Sequence, residues 1–221
     1  MDGNGRWATK RGLPKIAGHR EGVKAVERVI RAAVELGVKV LTLYTFSTEN
    51  WKRPRFEVDA LFGLIEEYLD READKLHKNN MRFSVIGRID GLPGPVAAKV
   101  RRVMEMTGKN TGLMVNLALN YGGRSEIVDA CRAIASDAAK GAIDPDTITE
   151  ESFARYLYTR DLPDPDLMIR TSGEFRISNF LLWQLSYAEF VITEKFWPDF
   201  TGEDLADAVR EYEGRARRYG R

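Results

Sequence analysis

The 221-residue chain has one cysteine, two histidines and only short uninterrupted apolar runs, Phe180 to Trp183 being typical. A single cysteine excludes an internal disulfide framework and fits a reducing compartment. Set among Ile127, Ala130 and Ile134, Cys131 reads as a buried small apolar residue rather than a nucleophile. Apolar runs this short exclude a bilayer-spanning helix, and the first residues do not read as a signal peptide. A net charge of +1 argues against a general nucleic-acid binder. Walker A, GxGxxG and DDxxD runs are all missing, and no serine–histidine–acid arrangement can be argued from spacing. No repeat, low-complexity tract or linker interrupts the chain, so a single domain over 1–221 is expected.

Acids are scarce at one place in particular. Over residues 1–20 only Asp2 is acidic, against Arg6, Lys10, Arg11, Lys15 and Arg20. That pattern is either a local anion site or a solvated basic face, and composition does not choose between them.

What is present is an alternation of periods. Apolar residues at helical spacing predict helices over 20–36, 57–79, 95–107, 124–140, 150–158, 178–186 and 202–218. Runs rich in β-branched and aromatic residues predict strands at 39–46, 81–87, 112–120, 166–170 and 189–193. Strands separated by helices of ten or more residues imply an α/β fold. Its central sheet should be mainly parallel, flanked by helices on both faces. Ligands in such folds sit at the carboxyl ends of the strands, which is where STENWKRP, NYGGRSE and RTSGEFRISN fall.

Three stretches carry chemistry. In MDGNGRW, Gly3 and Gly5 let the backbone aim its N–H groups at one point, as phosphate binding requires, and Asp2 beside them is a natural Mg²⁺ ligand. A glycine turn capped by an aspartate is the plainer reading. In RTSGEFRISN, Arg170 and Arg176 bracket a turn with Ser172 and Ser178; two guanidinium forks and two hydroxyls make a diphosphate clamp. Surface pairing with Glu174 is the alternative. In STENWKRP, Ser47, Asn50 and Arg53 surround Trp51, which is either core or part of a site. His19 is a candidate base or phosphate ligand, His77 reads as structural, and Glu189 is a strand-edge charge or a second metal ligand.

Taken together these motifs resemble the cis-prenyltransferases, most closely the bacterial undecaprenyl diphosphate synthases. MDGNGRWA, GHREG, TLYTFSTENWKRP, NTGL, NYGGR, IRTSGEFRISNFLLWQ, YAE and WPDF occur in the family's order across nearly the whole chain. The resemblance implies condensation of isopentenyl diphosphate onto an allylic diphosphate, usually farnesyl, with new cis double bonds and a long-chain product such as undecaprenyl diphosphate. It implies Asp2 as the magnesium-linked aspartate with Glu189 as its partner, and Asn50 in the proton-loss step. Gly3, Asn4, Gly5, Arg6, Trp7, Lys15 and His19 would hold the allylic diphosphate. Lys15 stands where arginine is common and so lacks the bidentate fork. Arg170, Arg176 and Ser178 would grip isopentenyl diphosphate; Ser47, Asn50, Trp51, Arg53 and Glu57 match a segment that closes over the substrates, and Glu49 within it would bind substrate as well. Arg218-Tyr219-Gly220 matches an ending that reaches a partner subunit. A homodimer, a cytoplasmic location and transient contact with membrane are implied likewise. The family's first strand, normally just before MDGNGRW, is expected upstream of Met1. Leu43, Leu61, Phe62, Leu113 and Val115 are candidates, from apolarity and position, for a tunnel that takes the growing chain.

Overall fold

The computed structural model describes residues 1–215, so Arg218-Tyr219-Gly220 lies outside the described residues. The chain begins with a short helix α1 (Asn4–Thr9) and a long helix α2 (Lys15–Glu35). The two cross where α2 carries glycine. A Cβ at Gly18 would come within 1.9 Å of the Asn4 carbonyl oxygen, and one at Gly22 within 2.4 Å of Asn4 Oδ1. Beyond the crossing, α2 buries Ala25, Val26, Val29, Ile30, Ala32 and Ala33.

Strand β1 (Val40–Ser47) leads through a single 3₁₀ turn (Thr48–Lys52) into α3 (Arg55–Lys78), followed by β2 (Arg82–Ile86) and α4 (Gly94–Thr107). Then come β3 (Met114–Tyr121), α5 (Gly123–Ala139), α6 (Glu150–Ala154), β4 (Leu167–Arg170), β5 (Glu189–Ile192) and α7 (Gly202–Glu213). Each strand pair among the described residues is parallel. Strand β3 lies between β1 and β2, with Val40 opposite Met114 and Ser47 opposite Tyr121, so β1 and β3 end at one level. Strand β4 pairs with β5, Arg170 lying opposite Ile192. The expected parallel α/β architecture is present, and among the described residues the strands form a three-stranded sheet, β1-β3-β2, and a two-stranded one, β4-β5.

Side-chain alternation along β3 builds two cores. Val115, Leu117 and Leu119 enter the larger one, with α2, α3 and α4; Ala118 enters the smaller, with Met168, Leu181 and Leu185. Asn120, at φ 48°, breaks the alternation, and Tyr121 joins the smaller core as well. There its hydroxyl donates to Oε2 of the buried Glu126 at 2.5 Å. Gln184 Nε2 donates to the same oxygen, and the Tyr158 N–H donates to Oε1 at 2.9 Å. Burial pushes the Glu126 carboxyl above its usual range against these hydrogen bonds. Glu126→Ala leaves several buried donors without an acceptor and is expected to cost about 3 kcal/mol, on the scale of losing such a network. Urea denaturation checks this; a loss well under 1 kcal/mol would mean that the donors find other partners.

Three features depart from the sequence reading. Residues 178–186 form turns rather than a helix, because Ser178, Asn179 and Leu181 all take left-handed backbone angles that a right-handed helix does not accept. Cys131 is exposed: the buried face of α5 runs through Gly123, Glu126, Ala130 and Ile134, one position away from it. Phe62, Leu113 and Val115 are packed into the core rather than lining the cavity described below. Among the described residues no helix is long and apolar enough to cross a membrane.

Candidate active site

A cavity of about 1380 Å³ opens where β1 and β4 end and α2 and α3 begin. Its mouth is polar, lined by Asp2, Asn4, Arg6, Lys15, His19, Ser47, Asn50, Arg53, Glu57, Arg170, Arg176 and Ser178; Gly3 and Gly5 contribute backbone. Behind the mouth it turns apolar. Val23, Val26 and Val29 of α2 face Leu61, Leu64 and Ile65 of α3, with Leu41 and Leu43 of β1 alongside.

The start of the chain is tied to the end of β4. Thr171 Oγ1 accepts from the Asp2 N–H at 3.0 Å and donates to the Asp2 carbonyl at 2.9 Å, which also accepts from the Trp197 N–H. Gly3 then turns at φ 96°, and a Cβ there would lie 2.2 Å from Ser172 Oγ. Only glycine fits that angle and that space. The Asp2 carboxylate accepts from the Gly3 N–H at 2.7 Å and from Arg170 Nη2 at 3.0 Å, with Arg6 Nη2 at 3.5 Å. Partial burial opposes its charge, but Arg170, the Gly3 N–H and Arg6 outweigh that and hold it below the usual carboxylate range. Asp2 is ionised at neutral pH.

The arginines are held by acids and by each other's loops. Arg170 donates to Ser178 Oγ at 3.0 Å and to the Arg176 carbonyl. Arg6 reaches Glu174 Oε1 at 2.8 Å, and Arg176 pairs with the other oxygen of the same carboxylate. Glu174 therefore joins MDGNGRW to RTSGEFRISN. Arg53 and Lys15 share Glu57, at 3.1 and 4.0 Å.

His19 sits beside this last group. Burial, then the Arg53 charge, with Lys15 adding to them and Glu57 opposing, pushes its imidazole down to about 4. It is neutral at pH 7 and offers one donor and one acceptor. Its folded value lies below the ordinary 6.5, so its contribution to stability is complete above pH 6.5 and is lost as pH falls towards 4. His19→Gln should flatten the decline of Tm over that window; parallel Tm–pH curves for both proteins would contradict it.

Not every residue singled out from the sequence reaches the mouth. Trp7 is turned aside, its Nε1 donating to Asp199 Oδ1 at 2.7 Å with Arg11 stacked on the ring. Glu49 accepts from Asn179 Nδ2 at 2.8 Å, and Trp51 packs on the core residues Phe46 and Phe62; neither lines the cavity. Glu189 stands opposite Leu167 at the other end of the β4–β5 pair from Arg170, roughly 10 Å away along the strand, and pairs with Arg215 at 2.8 Å. Within this chain it is not brought to Asp2. Thr171 and Glu174 make more of the site than the sequence reading gave them. Their signal was the position of both inside a stretch already dense in arginine and serine.

A mouth of arginines and glycine backbone around the ionised Asp2, in which cations outnumber carboxylates, opening onto an apolar cavity in a parallel α/β fold, suits a ligand with an anionic head and a hydrocarbon body. Comparison with known proteins agrees: residues 1–220 match the prenyltransferase family described as "Putative undecaprenyl diphosphate synthase", and the chain belongs to that family. The isoprenyl transferase of Halalkalibacterium halodurans is 53% identical over 220 residues, covering all of this chain and 86% of that protein. That of Bacillus subtilis is 50% identical, covering all of this chain and 85% of its own length. Among solved structures, lavandulyl diphosphate synthase from Lavandula x intermedia, in complex with dimethylallyl diphosphate, superposes with a TM-score of 0.97. It is 38% identical, covering 100% of this chain and 95% of that one. A "probable undecaprenyl diphosphate synthase (uppS)" from Campylobacter jejuni gives a TM-score of 0.81 at 36% identity, covering 91% of this chain and 93% of that one.

Proposed function

We propose that this chain condenses isopentenyl diphosphate onto an allylic diphosphate, farnesyl first among the candidates, to build a long Z-polyprenyl diphosphate such as undecaprenyl diphosphate for cell-wall lipid carrier synthesis. The observation that carries the reading is the cavity itself, with Arg6, Arg170 and Arg176 at its mouth and valines and leucines of α2, α3 and β1 behind them. Gly3, Asn4, Gly5, Arg6, Lys15 and His19 hold the allylic diphosphate. Arg170, Arg176 and Ser178 hold the isopentenyl diphosphate close by, so that its double bond faces the allylic carbon as the C–O bond ionises. The arginines and backbone N–H groups take up the charge of the departing diphosphate. Asn50 belongs to the proton-loss step. Its Oδ1 already accepts from the Ser47 N–H at 3.0 Å, which leaves the NH₂ end for a ligand.

Magnesium fits this site. One half-exposed carboxylate, kept ionised and set among diphosphate-binding arginines, is the donor set Mg²⁺ uses with phosphates. Asp2 would hold the ion; Glu189, at the other end of the β4–β5 pair from Arg170, is not brought to it within this chain. When bound, the metal adds positive charge at the leaving diphosphate. A homodimer is supported by the exposed aromatics Phe175, Tyr187 and Phe190 on the β4–β5 half. A cytoplasmic enzyme touching the membrane transiently fits a lipid product.

Two arrangements of the same fold compete. A short- or medium-chain synthase is favoured by the likeness to a solved protein bound to dimethylallyl diphosphate. A non-catalytic scaffold is disfavoured by the intact arginine clamps. Labelled isopentenyl diphosphate incorporated into solvent-extractable product, with farnesyl or dimethylallyl diphosphate and with Mg²⁺ or EDTA, tests all three. Chromatographic length of a magnesium-dependent product separates the first two; no product under any condition points to the third.

A further inference from the structure

The Ser47–Arg53 segment is two-sided. Ser47, Asn50 and Arg53 line the cavity, whereas Trp51 between them does not. Its indole packs edge-on against Phe46 and tilted on Phe62, with centroids 5.2 and 5.3 Å away, and Nε1 donates to Asn120 Oδ1 at 2.8 Å. Asn120 lies on β3, only 7% exposed, and its Nδ2 donates to the Arg88 carbonyl at 3.0 Å. Both ends of the amide are thus engaged. The backbone at φ 48° favours asparagine among side chains that carry an amide. Space is cleared for it by Gly91, where a Cβ would come within 2.7 Å of Nδ2.

The other bonds of the segment do different work. Ser47 and Asn50 cap each other and set its internal shape. Glu49 ties it to Asn179 in the neighbouring loop, which is itself made of turns. The Asn120–Trp51 bond joins it to the central strand of the three-stranded sheet.

We propose that Asn120 is a positioning residue: acting through the Trp51 indole, it fixes Ser47, Asn50 and Arg53 over the cavity mouth. It touches no substrate. The inference rests on the diphosphate reading for its kinetic consequence, and on the hydrogen bond alone for its structural one.

A double-mutant cycle tests it. Asn120→Gly suits the backbone angle and removes the amide, and Trp51→Phe keeps an aromatic ring against Phe46 and Phe62 and removes the donor. Each should raise KM for the diphosphates about five- to tenfold, and the double variant should be no worse than either single one. Asn120→Asp keeps the acceptor and loses the Arg88 bond, so it should lower Tm yet restore KM. In substrate-free protein, acrylamide quenching of the Trp51 emission, taken as the difference from the Trp51→Phe background, should rise in Asn120→Gly and not in Asn120→Asp. Additive losses, an unchanged KM, or an Asn120→Asp variant as impaired as Asn120→Gly would overturn the proposal. If the parent protein shows no turnover, the quenching series still decides the tie, and the failure then belongs to the diphosphate reading.

Discussion

Asp2→Ala is expected to cut kcat by about 10³-fold or more, the scale of losing a principal charge-stabilising group, while the fold stays intact. The change removes the carboxylate that Arg170 and Arg6 face and that would hold magnesium. Stability should fall by about 1 kcal/mol or less, because the pair is partly exposed and Arg170 keeps Ser178 and the Arg176 carbonyl. The backbone bonds of residue 2 to Thr171 and Trp197 survive the substitution. Asp2→Asn is the sharper control, since it retains an acceptor for the Gly3 N–H and loses only the charge. Near-parental turnover in either variant, with Mg²⁺ saturating, would remove Asp2 from the metal and from the reaction.

Arg176→Ala should raise the KM for isopentenyl diphosphate by about 10- to 100-fold, the worth of charge-assisted hydrogen bonds to a phosphate, and that for the allylic partner much less. The asymmetry follows from where the arginines stand. Arg176 shares Glu174 with Arg6, but its backbone belongs to the loop that also carries Ser178 and receives Arg170. Arg6 instead rises from α1 beside the Gly3 turn. Steady-state kinetics with each diphosphate varied in turn reads the difference. A larger effect on the allylic substrate would mean the two diphosphate sites are exchanged.

Much of this was legible beforehand. Each strand was visible because β-branched and aromatic residues cluster in runs bounded by turn residues, and each long helix because its apolar stripe repeats every three or four positions. The mouth was legible because arginine, glycine and serine recur where parallel strands end. What escaped detection depended on contacts distant in sequence or on backbone angles. The 178–186 stretch has helix-compatible composition, and only the left-handed angles at Ser178, Asn179 and Leu181 betray it as turns. Cys131 sits one position off the buried face of α5, a 100° rotation that local apolarity does not reveal. Glu189 and Asp2 each look like a metal ligand in isolation, and the β4–β5 register separates them. Of the five tunnel candidates, Leu43 and Leu61 line the cavity; apolar character alone does not tell a wall from a core.

The ion pairs of the mouth have a consequence for selectivity. Five cations, Arg6, Lys15, Arg53, Arg170 and Arg176, rest on three carboxylates, Asp2, Glu57 and Glu174. The mouth behaves as an ion exchanger already loaded with its own counter-ions. A monovalent anion arriving there trades one partner for another and gains little, so ordinary salt is a poor competitor. A diphosphate brings several charges on one covalent frame and displaces more than one internal carboxylate in a single event. The acids that look like obstacles to anion binding thereby screen out the small anions that outnumber the substrate.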